Sequence, residues 1–168
     1  RERYRNCLKN FPEAEPARAV VVKRGVSPEM AEAFALGYAP KSDDTMFRGR
    51  LMFPIYNYFG KAVGFTGRIF PVSNQRESAF AASTAKYINS PETAIFNKSR
   101  ILYGFHKTKK EIAGQKSAVL VEGQMDFLMA YQDGVKNVIA TSGTALTSDH
   151  LKTLRRIADR LIFLFDND

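Results

Sequence analysis

The last third of the sequence alternates short apolar runs with segments of helical spacing, and this rhythm constrains the fold more than any other feature. Uninterrupted apolar runs at residues 118–121 and 161–165 are typical of strands covered on both faces. A shorter apolar run, residues 138–140, lies between them. Residues 124–132 have the spacing of a helix. A second helix, capped by Thr147 or Ser148, is predicted to continue through Ile157. Strand, helix, strand, helix and strand joined by short links predict right-handed crossovers and a parallel sheet.

Acidic side chains directly follow two of these predicted strands. Glu122 comes after the first apolar run, and Asp166 and Asp168 come after the last. Because ligands bind beyond the carboxyl ends of the strands in an open parallel sheet, we expect these carboxylates to converge. Converging carboxylates repel one another unless a cation bridges them, and hard Mg²⁺ prefers such oxygen ligands. We interpret the three acids as a metal site; solvated acids at the starts of loops are the alternative.

The sequence before residue 116 has a mixed pattern. A helix is predicted over residues 27–37, with Ser27 as its cap. Residues 51–56 and 62–70 are rich in strand formers and flank a turn, which indicates a hairpin. Pro54 predicts that the first of these strands lies at a sheet edge or carries a bulge. Residues 71–85 are small and polar and predict a surface loop.

Together these patterns predict an α/β protein with two parts. We expect an α+β N-terminal subdomain over residues 1–115, followed by a parallel βαβαβ unit over residues 116–168. The charge follows the same division, since the first part carries 19 lysines and arginines against 10 acids and the second carries 6 against 7. An excess of positive charge attracts polyanions, of which nucleic acid is the commonest. A merely solvated basic surface is the open alternative.

The sequence also argues against several classes of protein. Its apolar runs fall far short of the roughly 18 residues that a membrane helix needs, and no signal peptide is visible. A single cysteine, Cys7, excludes an internal disulfide. With only two histidines beside it, a structural zinc site is not expected. We therefore expect a cytoplasmic protein without a membrane partner.

The acids stand within motifs that resemble a known family. Glu122-Gly123-Gln124-Met125-Asp126 and Asp166-Asn167-Asp168, each after an apolar strand, resemble the signature of Toprim domains, which occur in primases, topoisomerases and some nucleases. Further motifs upstream resemble the catalytic core of bacterial DnaG-type DNA primases, in the order and spacing of that family. These motifs are Arg50–Ile55, Gly64–Arg68, Lys86–Thr93 and Phe96–Gly104. The resemblance runs from about residue 17 to the end of the chain.

The resemblance implies a DNA-directed RNA polymerase of primase type. Such a nucleotidyltransferase joins ribonucleoside triphosphates into short RNA primers on single-stranded DNA. It implies Mg²⁺, with Mn²⁺ as a possible substitute, bound by the catalytic acids Glu122, Asp166 and Asp168. Asp126 also matches a motif position, but its place in a first helical turn favours a capping or structural role. The candidates for binding nucleotide or DNA are Arg68, Lys86, Tyr87, Asn89, Lys98, Arg100, Arg24 and Arg50.

The ends of the sequence suggest a fragment of a longer protein, because it begins without Met and stops inside an acidic motif. The family implies a zinc-binding N-terminal domain and a C-terminal domain that contacts the replicative helicase, both outside this sequence. No zinc is therefore expected here, and alone the fragment is expected to be weak or inactive. Asn167 departs from a frequent glycine of the family, but the acids on either side are retained.

Two other functions stay open from the sequence alone. One is a Toprim nuclease or topoisomerase that cleaves DNA, and the other is a non-catalytic module that binds single-stranded nucleic acid. The upstream basic motifs favour an enzyme that joins nucleotides over one that breaks strands. A simple binding module would bind DNA equally well after Glu122→Gln and would need no metal.

Overall fold

A computed structural model of the protein describes residues 1–70, 85–143 and 145–165. The predicted loop at residues 71–85 lies outside these residues except for its last position. Internal contacts divide the chain into two units. The first unit comprises Arg1–Pro54 and Gly64–Ser90, and the second unit comprises Ile55–Val63 and Pro91–Asp168.

The first unit begins with three helices: α1 (Glu2–Asn10), α2 (Glu15–Lys23) and α3 (Pro28–Ala33). The predicted cap of α3 is confirmed, since the Ser27 hydroxyl accepts a hydrogen bond from the Met30 N–H at 3.2 Å. The predicted end of this helix at Gly37 is wrong. The helix stops at Ala33 because Ala35 adopts a left-handed conformation with a φ of 53° and turns the chain toward a strand.

Four strands form the sheet that follows, in the order β1-β2-β3-β4: β1 (Gly37–Ala39), β2 (Arg50–Tyr56), β3 (Ala62–Arg68) and β4 (Tyr87–Asn89). The predicted hairpin corresponds to β2 and β3, whose turn is closed by the Asn57 N–H on the Lys61 carbonyl at 2.9 Å. β2 is an inner strand, so the first of the two alternatives predicted from Pro54, an edge strand, is wrong for the strand as a whole. The register explains why proline is tolerated, because β1 pairs only with residues 50–52 and ends before Pro54.

The second unit contains the predicted parallel sheet. Its helices and strands are α4 (Phe105–Gln115), β5 (Ser117–Val121), α5 (Gln124–Gln132), β6 (Val138–Ala140), α6 (Ser148–Leu154) and β7 (Arg160–Leu164). The strand order is β6-β5-β7, and β5 pairs in parallel with both neighbours. The alternation of helices and strands and the central, fully buried β5 confirm the predicted fold class. α4 packs on this sheet, and the contacts place Pro91–Asp168 in the second unit.

The core of the second unit is built from side chains of α4, the sheet and α6. Ile112, Leu120, Ile139 and Leu154 are fully buried there. Gly104, just before α4, has a φ of 81°, and a Cβ atom at this position would lie 2.0 Å from the Phe127 ring. The close approach of α5 to the start of α4 therefore requires glycine. Among the described residues, no helix is long and apolar enough to cross a membrane.

Candidate active site

Glu122 lies at the carboxyl end of the central strand of the parallel sheet, the position that the sequence predicts for it. The register pairs Val121 of β5 with Leu164 of β7, so both strands end at the same edge. The backbone of Glu122 is fixed, because its carbonyl accepts a hydrogen bond from the Ser142 N–H at 2.9 Å. Its side chain is exposed. A carboxylate in this place is held by the strand beneath it and remains open to ligands.

Asp126 has the capping role that its place in the first turn of α5 predicts. Its Oδ2 atom accepts a hydrogen bond from the Gly123 N–H at 3.1 Å. Glycine at this position leaves room for the carboxylate, since a Cβ atom on Gly123 would lie 2.8 Å from Asp126 Oδ2. The negative charge also suits the positive N-terminal end of a helix. Asp126 therefore stabilises the turn that follows Glu122.

The predicted metal ligands are only partly within the described residues. Asp166 and Asp168 lie outside them, and among the residues that are described no group of three histidine, cysteine, aspartate or glutamate side chains could hold a metal. Glu122 fits a hard divalent cation, because it offers exposed carboxylate oxygens to which no described side chain donates a hydrogen bond or ion pair. In the sequence, Asp166 and Asp168 follow β7, whose last residue, Leu164, pairs with Val121 next to Glu122.

Arg68 and Tyr87 come together in the first unit. They are register partners in the antiparallel pair of β3 and β4, and the Arg68 guanidinium carbon lies 5.6 Å from the centre of the Tyr87 ring. Arg68 is only 6% exposed. Its Nε and Nη1 atoms are buried and have no hydrogen-bond acceptor among the described residues. Because unsatisfied buried donors are costly, this guanidinium is suited to an anionic ligand that supplies the missing acceptors.

Arg50 is engaged with backbone groups of the first unit. It is buried, and its Nη1 atom donates to the carbonyls of Ala85 at 3.0 Å and Gly67 at 3.3 Å. Burial lowers the pKa of Arg50. The side chain therefore holds the start of the segment that carries Lys86 and Tyr87, a positioning role that sequence analysis did not anticipate.

Asn89 is also engaged inside the protein. Its Oδ1 atom accepts a hydrogen bond from the Thr66 hydroxyl at 2.6 Å, across the same strand pair that joins Arg68 and Tyr87. Lys86 is exposed beside this pair. Arg24 is exposed at the C-terminal end of α2, and its structure gives no further indication of a ligand.

Lys98 and Arg100 belong to one turn of 3₁₀ helix in the second unit, Lys98–Arg100. Lys98 is half-buried, and its backbone N–H donates to Glu92 Oε1 at 3.0 Å. Arg100 is exposed and forms an ion pair with Asp149, with 3.1 Å between Nε and Oδ2. Asn97, Arg100, Leu102 and Phe105 are among the residues that line an open cavity of about 510 Å³.

The chain is similar to known proteins in both sequence and structure. A family model of the N-terminal domain of the DNA primase catalytic core matches residues 43–109, and a Toprim domain model matches residues 116–168. The DNA primase of Streptomyces coelicolor is 36% identical over 98% of the chain and 30% of its own length. The chain thus spans about a third of the length of such curated relatives.

Solved primase structures share the fold. The RNA polymerase domain of Mycobacterium tuberculosis primase DnaG has a TM-score of 0.86 and 30% identity, covering 99% of this chain and 63% of that one. A DnaG primase catalytic domain bound to single-stranded DNA has a TM-score of 0.81 and 32% identity, covering 99% and 58%. The fold and the motifs define a primase-type core with a Toprim sheet. The chain belongs to the family of DnaG-type bacterial DNA primases.

Proposed function

We propose that this protein acts in the catalytic core of a primase that joins ribonucleoside triphosphates into short RNA primers on single-stranded DNA. The observation that carries the proposal is the similarity of 99% of the chain to primase catalytic cores. Glu122 at the end of β5 is the local feature that agrees with it. Such an enzyme acts on DNA in the bacterial cytoplasm, which is the location we propose. We further propose that the Toprim domain begins at residue 116, where its family model starts to match.

The acids at the sheet edge would hold the metal of this reaction. We propose Glu122, Asp166 and Asp168 as its ligands. A bound Mg²⁺ or Mn²⁺ supplies Lewis-acid chemistry, which lowers the pKa of an attacking 3′-hydroxyl and neutralises charge on the phosphates. The backbone contact between Glu122 and Ser142 keeps the first carboxylate in place, and Asp126 stabilises the helix start behind it.

The cations of the first unit would bind the negative groups of the substrates. We propose that Arg68 donates from Nε and Nη1 to triphosphate oxygens, because those two atoms have no acceptor in the described part of the chain. Tyr87 packs on the Arg68 guanidinium and would keep its plane fixed. Lys86 would add a charge-assisted donor from the exposed side. Arg50 and Asn89 hold the strands that carry these groups.

The wider partners follow from the family. Single-stranded DNA as template is supported by the related DnaG catalytic domain bound to single-stranded DNA. Ribonucleoside triphosphates and the RNA primer are the substrates and product that the reaction requires. We also propose contact with a replicative helicase through a C-terminal domain, and a zinc-binding N-terminal domain, both beyond this sequence.

A primer-synthesis assay tests the proposal. The protein, in its natural full length, is mixed with single-stranded DNA, labelled ribonucleotides and Mg²⁺ or Mn²⁺. Glu122→Gln keeps the shape of the side chain but removes its charge, and should lower the rate at least about a hundredfold, since several kcal/mol of charge stabilisation are lost. The matched control is Glu111→Gln on the exposed side of α4, which should leave the rate unchanged. Equal activity of Glu122→Gln and wild type would overturn the proposal.

A further inference from the structure

His150 connects two elements of the second unit that are distant in sequence. It lies in the first turn of α6 and is fully buried, although it is a polar residue. Its Nε2 atom is 3.1 Å from the carbonyl oxygen of Lys98, in the 3₁₀ turn described above. Its Nδ1 atom accepts a hydrogen bond from the Thr147 N–H at 3.3 Å. Because Nδ1 accepts, the proton is on Nε2, and Nε2–H donates to Lys98.

The residue that caps α6 contacts the same turn. The Thr147 hydroxyl donates to the Ser99 carbonyl at 2.6 Å and accepts from the His150 N–H at 3.1 Å. Two consecutive carbonyls of the turn, those of Lys98 and Ser99, are therefore held by two side chains of one helix start. Asp149, which lies between Thr147 and His150 in the sequence, forms the ion pair with Arg100.

Apolar packing does not fix this turn by itself. None of its three residues is buried. The nearest buried apolar residues in the sequence are Phe96 before the turn and Leu102 after it. The position of the Lys98 backbone therefore depends on polar contacts, to Glu92 on one side and to His150 on the other. The cap of α6 uses the Thr147 hydroxyl and the His150 Nδ1 atom, whereas the contact of Nε2 with the Lys98 carbonyl lies outside the cap.

We propose that His150 is a positioning residue for Lys98, and that its hydrogen bond to the Lys98 carbonyl sets the turn from which Lys98 and Arg100 reach an anionic ligand. The open cavity lined by Asn97 and Arg100 lies beside this turn, so a shift of the turn changes a surface that is accessible to ligands. Burial lowers the pKa of His150, which agrees with a neutral ring that donates at one nitrogen and accepts at the other. The inference rests on the proposed function and on the expectation from the sequence that Lys98 binds nucleotide or DNA.

The test uses two amide variants of His150 that differ in reach. His150→Asn places its amide where Nδ1 was, so it can still accept from Thr147 but is too short to reach Lys98. His150→Gln has an amide nitrogen at about the distance of Nε2 and can donate to the Lys98 carbonyl. We expect the KM for ribonucleotides in primer synthesis to rise about tenfold in His150→Asn, and His150→Gln to restore it to within about threefold of wild type.

A double-mutant cycle with Lys98→Ala separates positioning from a general loss of stability. If His150 acts through Lys98, His150→Asn adds no further increase in KM once Lys98 is alanine. Additive effects in the cycle, or an unchanged KM in His150→Asn, would overturn the inference. If His150→Asn does not fold, Thr147→Asp is used in its place. Aspartate still caps α6 but has no hydroxyl to donate to Ser99, and the same cycle result is expected.

The failure of this inference is distinguishable from failure of the proposed function. If wild type makes no primers, the proposed function is wrong and the inference is overturned with it. If Lys98→Ala synthesises primers as wild type does, the premise about Lys98 is wrong and the inference is overturned. If Lys98→Ala raises the KM and His150→Asn does not, the inference alone is overturned.

Discussion

The buried arginine of the first unit yields the sharpest prediction. Arg68 is 6% exposed, and two of its donors have no acceptor among the described residues. Each unsatisfied buried polar group costs about 1–3 kcal/mol. Methionine matches the aliphatic part of the arginine side chain and has no donors, so Arg68→Met removes this cost. It also removes the contact with Tyr87, which is worth about 0.5–1 kcal/mol. The unliganded protein should therefore become more stable, by about 1 kcal/mol or more.

The same substitution should weaken nucleotide binding. In our proposal Arg68 donates to the oxygens of a triphosphate, and hydrogen bonds to charged groups contribute about 1.5–3 kcal/mol. Arg68→Met should raise the Kd for a ribonucleoside triphosphate about ten- to hundredfold, because each 1.4 kcal/mol corresponds to a factor of ten. A gain in stability together with a loss of binding is the signature of a residue kept for its ligand.

Two measurements on the same protein samples test this prediction. Urea unfolding gives the stability of the unliganded protein, and titration with a fluorescent ribonucleoside triphosphate gives the Kd. Arg155→Met, at an exposed position after α6, is the control and should change neither value by more than about 0.5 kcal/mol. A loss of 2 kcal/mol or more in Arg68→Met, with unchanged binding, would refute the reasoning. It would mean that the guanidinium stabilises the fold and does not serve a ligand.

Three further predictions concern the fold around the candidate site. Gly104→Ala should lower the free energy of unfolding by about 2–5 kcal/mol, from left-handed strain and overlap with Phe127, and a wild-type urea midpoint would contradict this. Arg50→Met should lower the free energy of unfolding by about 2–3 kcal/mol, because two backbone carbonyls lose a charged donor. A stability within about 0.5 kcal/mol of wild type would contradict the positioning role. Burial, with smaller effects of nearby lysines, lowers the pKa of His106 to about 4 from 6.5. Because the unfolded chain binds the proton more readily, stability should be complete above pH 6.5 and fall as the pH decreases toward 4. His106→Phe should reduce this decline in urea unfolding measured across the pH range, and an identical profile would contradict the assignment.

The fold was predictable where burial leaves a plain pattern in the sequence. β5 is covered on both faces and is therefore apolar throughout, which made the parallel unit recognisable. β1 is not predictable from the sequence, because its three residues, Gly37–Ala39, are too few to show a strand pattern. Their strand conformation depends on pairing with β2. The end of α3 was misplaced because a left-handed alanine, Ala35, reverses the chain where glycine was expected to do so. Such local reversals depend on tertiary packing, which short-range sequence propensities do not report.

The candidate site was predictable by residue type more than by role. Acids at the end of β5 and arginines in basic motifs could be selected from sequence, but their partners could not. Arg50 and Arg68 look alike in sequence, yet one is satisfied by backbone carbonyls and the other has unsatisfied donors in the described residues. The contact of His150 with Lys98 joins residues 52 positions apart, which no local pattern indicates.

The central claim is that this protein joins ribonucleotides and does not break DNA, and analysis of both nucleic acids in one reaction tests it most directly. A circular single-stranded DNA is incubated with the natural full-length protein, ribonucleotides and Mg²⁺ or Mn²⁺. The account predicts short RNA products that begin with a 5′-triphosphate, an intact circle, and loss of the RNA in Glu122→Gln and Asp166→Asn. A linearised or nicked circle without RNA would contradict it and would assign the Toprim sheet to a nuclease or topoisomerase.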